Sequence, residues 1–209
     1  MDLDIRGKHA LVAASSQGLG KAVARELLQE GVDVAICGRN EQTLAAAEKE
    51  LNGAGKGRVV AVAGDLSSRS DVARIVTFAK DRLGEIDILV TNAGGPPAGK
   101  FEDHDDAAWD QAYMDLLASA VGLIRGVLPG MKSQQWGRIV CITSQAVKQP
   151  VDNLILSNAV RSSVVGLVKT LANELAQIDV DRADRVTVRI SRSHRGMTDD
   201  ARAAGAVHH

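Results

Sequence analysis

The chain has 209 residues and is poor in aromatic residues, in cysteine and in net charge. Aromatic residues make up 2% of the sequence, so the core must be built from aliphatic side chains, and few rings are available for stacking on nucleic-acid bases. The 25 basic and 26 acidic residues leave a formal net charge of −1, which gives neither an electrostatic footprint for nucleic acid nor a polybasic membrane anchor. We therefore expect no nucleic-acid partner and no membrane partner.

The two cysteines, Cys37 and Cys141, both lie inside apolar runs. This placement predicts buried free thiols in a reducing compartment rather than a disulfide framework. The N-terminal stretch MDLDIRGKHALV lacks the basic and then apolar pattern of a secretory signal. No apolar run approaches a membrane span of about 18 residues. We therefore expect a cytoplasmic protein.

Short apolar runs alternate with longer amphipathic ones along the whole chain. We predict strands at 9–14, 32–37, 58–63, 87–92, 137–143 and 185–190, and helices at 18–30, 41–51, 67–83, 105–132 and 154–176. Strands that are apolar throughout and are separated by helices indicate a parallel sheet covered on both faces. The predicted fold class is therefore α/β: a doubly wound parallel sheet, or Rossmann fold, in three α/β/α layers and one domain.

The turn after the first predicted strand has the composition of a phosphate-binding turn. Gly18 and Gly20 allow a tight turn and close packing of the next helix on the sheet, and the helix start offers free N–H groups to a pyrophosphate. A lone Gly-x-Gly is a weak signal, and a plain structural turn is the alternative. Its position after the first strand of a βαβ unit favours nucleotide binding.

The residue after the second predicted strand indicates which nicotinamide nucleotide is bound. A carboxylate there would bind a ribose 2′-hydroxyl and select NAD. The chain has Arg39 instead, and a guanidinium suits a 2′-phosphate. We therefore predict NADP, with NAD as the less favoured cofactor. The alternative for Arg39 is a solvated residue at the start of a helix.

Further landmarks follow in the order and at the spacing of a known family. They are the turn Ser15-Ser16-Gln17-Gly18-Leu19-Gly20, then Gly64-Asp65-Leu66, then Asn92-Ala93-Gly94-Gly95, and finally Gly137-Arg138-Ile139-Val140 leading to Thr143-Ser144. With these residues the chain resembles the short-chain dehydrogenase/reductase superfamily, in its 3-oxoacyl-acyl-carrier-protein reductase-like branch. The resemblance runs from residue 6 to about residue 176.

The resemblance implies a set of NADP-binding residues. They are Ala14, Ser16, Gln17, Gly18, Leu19, Gly20, Arg39, Asp65, Leu66, Asn92, Ala93 and Gly94. In the family, the positions of Asp65 and Leu66 lie along the adenine, and the position of Asn92 also braces the central strand. The chain departs from the family in the Thr-Gly that opens the first turn, which is Ala13-Ala14 here. We expect the added methyl of Ala14 to crowd the pyrophosphate.

The family's catalytic residues are matched only in part, so the catalytic motif is degenerate. Family members bind the carbonyl oxygen with a serine and a tyrosine; the tyrosine donates the proton, a lysine four residues later lowers its pKa, and an asparagine completes a relay. Ser144 matches the serine. The other positions hold Ser157 for the tyrosine, Arg161 for the lysine and Leu116 for the asparagine.

These replacements predict a weakened reaction. A serine hydroxyl is a far weaker acid than a phenol with a pKa of about 10, and losing a general acid typically costs on the order of 10² to 10⁴ in rate. Ser144 and Ser157 can still bind a carbonyl oxygen, with water as the proton source. Arg161 keeps its proton, so it can hold a ribose or a phosphate but cannot relay protons. Lys148 is an alternative acid or a solvated loop residue.

No metal site is predicted, because the histidines are isolated and none lies at ligand spacing. The only tyrosine, Tyr113, is expected to be a packing residue. After residue 176 the apolar periodicity is lost, and the Pro-Gly that follows the family's sixth strand is absent. A domain of this type commonly has about 250 residues, so the resemblance implies roughly forty fewer here.

We therefore expect residues 1–178 to form the NADP-binding Rossmann domain and residues 179–209 to form an atypical sixth strand and tail, at a truncated or frame-altered carboxyl end. Two functions remain open. The first is an NADP-dependent reductase of a small-molecule carbonyl or 3-oxoacyl thioester. The second is a catalytically impaired nucleotide-binding protein, a sensor or partner subunit on the same fold. The resemblance also implies a homodimer or homotetramer, paired through helices 105–132 and 154–176.

Overall fold

The computed structural model describes residues 3–176 and the backbone of residues 186–193. Six strands form one sheet: β1 His9–Val12, β2 Asp33–Gly38, β3 Val59–Ala63, β4 Ile88–Thr91, β5 Gly137–Ser144 and β6 Val186–Ser193. The strand order is β3-β2-β1-β4-β5-β6, and every neighbouring pair is parallel. This topology confirms the predicted doubly wound sheet. The sixth strand falls inside the tail predicted to be atypical; residues 179–185 and 194–209 of that tail lie outside the described residues.

In the part of the chain that the structure describes, six α-helices connect and flank the strands: α1 Gly18–Gln29, α2 Glu41–Leu51, α3 Arg69–Leu83, α4 Asp106–Tyr113, α5 Ser119–Gln134 and α6 Ile155–Ala176. The single helix predicted over 105–132 is divided, because a π-helical turn, Met114–Ala118, joins α4 to α5. Apolar periodicity cannot reveal such a turn, since it shifts the spacing of side chains by only one residue.

The sheet carries one hydrophobic core on each face. Leu11 and Ala35 point into a core with α3, α5 and α6, whereas Val12 and Ile36 point into a core with α1 and α2. Successive residues of a strand point to opposite faces, so a strand buried on both faces must be apolar at every position. The continuous apolar runs in the sequence have this cause.

The helical stretch Asp106–Gln134 has the length and the apolar composition of a membrane-spanning helix. The mean hydropathy of its most apolar window is 1.3. The sequence analysis did not predict this stretch as a candidate membrane span. In the fold this stretch packs on α3 and on the sheet, and 44% of that window is buried. A buried core helix can have the same length and apolar composition as a membrane-spanning helix.

Candidate cofactor and catalytic site

The turn after β1 is fastened to β2 by Ser15. The Ser15 hydroxyl donates a hydrogen bond to the Val12 carbonyl (2.6 Å) and accepts one from the Cys37 N–H (3.1 Å). The Ser15 N–H donates to the Cys37 carbonyl (2.9 Å), and the side chain is fully buried. The turn is therefore rigid before any ligand binds. Sequence analysis assigned no role to Ser15, since nothing in the sequence shows which serine of the turn points inward.

Ala14 and Gly20 are held against each other in this turn. Ala14 has φ +46°, in the left-handed region that favours glycine. A Cβ on Gly20 would lie 2.5 Å from the Ala14 carbonyl oxygen, so only glycine fits there. The Asn92 side chain donates to the same carbonyl (3.2 Å), which links the turns after β1 and β4. The departure at Ala14 thus places backbone strain in the turn; whether its methyl crowds a pyrophosphate stays a prediction.

The first turn of α1 faces the carboxyl edge of the sheet with its backbone N–H groups. Gln17 occupies the N-cap, its side chain makes no capping hydrogen bond, and the first turn holds no acidic residue. Gln17, Gly18 and Leu19 are exposed, and Ser16 is half-buried. Uncapped N–H groups and the positive end of the helix dipole attract an anion.

Arg39 stands next to this turn, directly after β2. A Cβ on the neighbouring Gly38 would lie 3.0 Å from the Ser16 hydroxyl, so β2 ends in contact with the turn after β1. Arg39 is exposed and forms no ion pair with any residue that the structure describes. Asn40, in contrast, has a structural role, because its side chain caps α2 by accepting a hydrogen bond from the Thr43 N–H (2.9 Å).

The turn after β3 is ordered by its own carboxylates. Asp65 accepts hydrogen bonds from the N–H and the hydroxyl of Ser67 (both 2.9 Å), and its own N–H donates to Asp71 (2.8 Å). That N–H and the Arg74 guanidinium, 3.0 Å from the carboxylate, hold the pKa of Asp71 below its usual value. Leu66 is half-buried against the core. Asp71 therefore positions the predicted adenine-side residues, a role that its sequence position on α3 does not reveal.

Arg161 lies with the predicted cofactor residues of β4. Its guanidinium donates to the Gly94 carbonyl (3.1 Å). Beside it is a cavity of about 20 Å³, which is enough for one water molecule. The lining residues are Thr91, Asn92, Ala93, Leu116, Ser119, Ala120, Ile142, Thr143, Arg161 and Val164. Leu116 belongs to the π-helical turn, lines the same cavity as Arg161, and occupies the position where the resemblance implies a relay asparagine.

The two candidate serines lie outside that cavity. Ser144 is half-buried at the end of β5, and its hydroxyl accepts from the Ala146 N–H (3.2 Å), which caps a short 3₁₀ turn at Gln145–Val147. Ser157 is 7% exposed, and its hydroxyl forms no hydrogen bond with the residues that the structure describes. Ser157 and Arg161 are four residues apart on α6, so they share one face of the helix.

The remaining candidate acids lie on the surface. Lys148 is exposed at the end of the 3₁₀ turn. Tyr113 was expected to pack, but it is 44% exposed at the end of α4. That expectation was wrong because the π-helical turn begins directly after Tyr113 and rotates the following residues relative to a regular helix.

The interior holds two thiols in addition to the buried carboxylate of Asp87. Both cysteines are buried and unpaired, and burial raises the pKa of Cys37 to about 11 and raises the pKa of Cys141 as well. Within residues 3–176 and 186–193, no group of three or more His, Cys, Asp and Glu side chains is arranged to hold a metal ion.

Comparison with known proteins places this arrangement in a family. Residues 8–190 match the family model of the short chain dehydrogenases. The chain is 34% identical over 172 residues to the uncharacterized oxidoreductase YvrD of Bacillus subtilis, covering 82% of this chain and 64% of that protein. It is 33% identical over 176 residues to D-beta-hydroxybutyrate dehydrogenase of Rhizobium meliloti, covering 83% of this chain and 67% of that protein.

A solved structure agrees with the sequence relatives. The L-sorbose reductase of Gluconobacter frateurii, determined with NADPH and L-sorbose, superposes with a TM-score of 0.87 at 30% identity, over 96% of this chain and 74% of that one. The chain thus spans about two thirds of the length of the curated relatives that it matches. Since the family model covers most of the chain and the fold agrees with it, this protein belongs to the short-chain dehydrogenase family.

Proposed function

We propose that the protein is an NADP-dependent oxidoreductase that reduces a carbonyl group, in a small molecule or a 3-oxoacyl thioester, by hydride transfer. The observation that carries the proposal is the meeting of the turns after β1, β2 and β4 around an open space. A Cβ on Gly18, Gly94 or Gly95 would touch nothing within 4 Å, whereas Gly20 is closed against the Ala14 carbonyl. The backbone is therefore rigid underneath and open above, as a nucleotide cradle requires.

The residues around that space fit the parts of NADPH. The uncapped start of α1, from Ser16 to Gly20, suits the pyrophosphate. Arg39, which has no ion-pair partner among the described residues, suits a 2′-phosphate. Asp65 and Leu66 suit the adenine, and Asn92, Ala93 and Gly94 suit the nicotinamide half. When bound, NADPH would supply the hydride.

Ser144, Ser157 and Arg161 are the residues that we propose for the carbonyl end. Ser157 is 7% exposed as a residue, and its hydroxyl forms no hydrogen bond within the described structure, so it is available to donate to a substrate oxygen. Ser144 would donate to the same oxygen. Arg161 would hold the cofactor ribose beside Gly94 and stabilise negative charge that develops on the oxygen. The proton would come from water, since a guanidinium does not release one.

A second candidate function is nucleotide binding without turnover. The observation that favours it is the composition of the cavity beside Arg161, where Leu116 presents an apolar side chain to the place of a proton relay. A sensor or partner subunit would need the cofactor residues but no acid.

One titration separates the two functions. NADPH is titrated while its fluorescence is followed, and a panel of ketones, quinones and 3-oxoacyl thioesters is then added while NADPH oxidation is followed. Substrate-dependent oxidation supports the reductase. Binding without oxidation supports the second function for that panel, and no binding rejects both. Undiminished turnover in Ser144→Ala would reject the assignment of Ser144, with Ser163→Ala on the exposed face of α6 as the control.

We also propose a cytoplasmic homodimer or homotetramer, paired through the helical stretch from α4 to α5 and through α6. The family resemblance supports the pairing, since it implies assembly through these two stretches. The buried free thiols support a reducing compartment. Light scattering after size-exclusion chromatography tests the assembly, and a monomer at micromolar concentration would reject it.

A further inference from the structure

The connection from β5 to α6 joins the two candidate serines. It begins directly after Ser144, runs through residues 145–154 and ends where α6 begins, two residues before Ser157. Lys148, Gln149 and Pro150 in its middle are exposed. The connection therefore borders the place where the proposed carbonyl substrate would bind, between the two serines proposed for it.

Asn158 holds the connection with both ends of its amide. The Asn158 Nδ2 donates to the Val151 carbonyl (2.9 Å), and the Asn158 Oδ1 accepts from the Val151 N–H (3.2 Å). The amide thus satisfies both backbone groups of one residue, as a neighbouring strand would. Because Asn158 directly follows Ser157 on α6, this clamp lies beside the proposed donor.

A second tether ties the same connection to the one that follows β4. The Gly99 N–H donates to the Asn153 carbonyl (2.8 Å), and the Ile155 N–H donates to the Gly99 carbonyl (3.4 Å), in a bridge between Gly99 and Leu154. Asn153 has φ +60°, a strained conformation that must be held by its surroundings. The tether at Gly99 fixes only the last residues of the connection, so Val151 depends on Asn158.

We propose that Asn158 is a positioning residue that clamps residues 148–154 onto α6 and thereby holds the substrate-side wall of the cleft in its binding shape. The proposal rests on the proposed function, because the wall matters for a carbonyl substrate that enters beside Ser157. Asn158 acts through the loop and touches no reacting atom. It should therefore affect the KM for the carbonyl substrate more than kcat or the Kd for NADPH.

The clamp itself is tested without turnover, by hydrogen exchange in the full chain. In Asn158→Ala the exchange of the Val151 amide and its neighbours should accelerate roughly 10- to 100-fold, since two hydrogen bonds are lost. Exchange in β2 should not change. Ser163→Ala is the matched control, because it also removes a side-chain hydrogen bond on α6 (2.6 Å to the Val160 carbonyl) but lies outside the clamp. Unchanged exchange at Val151 would overturn the clamp.

The positioning role is tested by kinetics with the substrate found in the NADPH oxidation panel. Asn158→Ala should raise the KM roughly tenfold, because the binding-competent shape becomes a minor population, while kcat and the NADPH Kd stay within about twofold. A loss of thermal stability with an unchanged KM would overturn the role. If the wild-type chain binds NADPH but oxidises it with no substrate of the panel, the proposed function is refuted. Hydrogen exchange at Val151 would then still show whether Asn158 clamps the connection.

Asn158→Asp adds a signature that a merely structural residue would not give. A protonated carboxyl group can both donate to the Val151 carbonyl and accept from its N–H, whereas a carboxylate can only accept. A free Asp titrates near pH 4, and donation from the neutral form raises that value. The variant should therefore approach the wild-type KM at pH 5 and resemble Asn158→Ala at pH 8. Equal KM ratios at the two pH values would contradict the clamp.

Discussion

The proposed cofactor end and the proposed carbonyl end of the site are built by different means. At the cofactor end, contacts to the backbone fix the shape of the turn after β1. The Ala14 carbonyl accepts a hydrogen bond from Asn92 and leaves no room for a side chain at Gly20. The Ser15 hydroxyl binds the turn to β2. At the carbonyl end the side chains decide, since Ser157 has no hydrogen-bond partner within the described structure. A backbone cradle tolerates little change, whereas a side-chain site can lose its chemistry without losing the fold.

This difference would account for the pattern that the resemblance implies, in which the proposed cofactor positions are largely kept while Ser157, Arg161 and Leu116 lie at the tyrosine, lysine and asparagine positions. The changed positions fit their surroundings: Arg161 donates to Gly94, Leu116 lines a small cavity, and Ser157 is nine-tenths buried. The bond from Arg161 to the Gly94 carbonyl ties the turn after β4 to α6. For Ser157, which makes no such bond, we expect substitution to change turnover more than stability.

The largest expected effect is at Gly20. Gly20→Ala places a Cβ 2.5 Å from the Ala14 carbonyl oxygen, which is backbone and cannot move aside. We expect NADPH affinity to fall more than roughly 100-fold and the free energy of unfolding to fall by about 2 to 4 kcal/mol. Fluorescence titration and chemical denaturation measure the two quantities.

Gly166→Ala is the control for that variant. Gly166 is a helical glycine with nothing within 4 Å of a Cβ, so the substitution should stabilise α6 by up to about 1 kcal/mol. Similar losses in both variants would show that the turn after β1 has no special constraint.

At the carbonyl end, Ser157→Ala should separate turnover from stability. The Ser157 hydroxyl forms no hydrogen bond within the described structure and is not one of its fully enclosed atoms without a partner. Its removal should therefore leave the free energy of unfolding within about 0.5 kcal/mol. Turnover should fall roughly 100-fold, because a donor to the developing oxyanion is lost. Steady-state NADPH oxidation measures the turnover, and chemical denaturation measures the free energy of unfolding. A large loss of stability would contradict the contrast between the two ends.

Arg39→Ala should change the choice of cofactor and nothing else. Losing charge-assisted hydrogen bonds to a 2′-phosphate should weaken NADPH binding roughly 10- to 100-fold, while NADH binding stays the same. Parallel titrations with the two nucleotides measure this. Equal weakening for both would show that Arg39 does not read the phosphate.

Ala14→Gly should relieve strain. A left-handed alanine costs about 1 kcal/mol relative to glycine, so the variant should be more stable by about that amount. Thermal unfolding is the measurement. An unchanged or lower stability would mean that the φ of +46° at Ala14 is not strained in this turn.

The smallest effect compares the two thiols. Burial raises the pKa of Cys37 to about 11 and also raises the pKa of Cys141, although a hydrogen bond at each thiol, with the Ala14 backbone and with Thr91, partly offsets the rise. A raised pKa means that the unfolded thiol ionises first, so the stability from Cys37 is lost as the pH rises from about 9 to about 11. Iodoacetamide at pH 9 should label both thiols more slowly in the folded chain than in urea, as mass spectrometry can show, and equal rates would contradict this.

Sequence patterns predicted most of the fold because burial on both faces leaves its mark on every strand position. The bounds of α2, Glu41–Leu51, were predicted to the residue, since Asn40 and Asn52 flank a clear helix. The π-helical turn at Met114–Ala118 and the exposure of Tyr113 were not predicted, because one inserted residue leaves no periodic trace.

For the site, the sequence placed the cofactor candidates at the ends of successive strands, and parallel topology then brought them together. The bond from Arg161 to Gly94 and the clamp from Asn158 to Val151 could not be predicted, because they depend on how α6 lies over two long connections. The inward direction of Ser15 and the pairing of Asp71 with the Asp65 N–H were hidden for the same reason.

The amino-acid sequence alone determined the parallel sheet, the family resemblance and the serine at the position where that resemblance implies a tyrosine, because these follow from residue types at fixed spacing. Only the tertiary structure decided that Gly20 must be glycine, that Ser157 is buried without a hydrogen-bond partner in the described structure, and that Asn158 holds the connection beside it. Those facts are distances between residues far apart in the chain or on different elements, and such distances are fixed by packing rather than by local order.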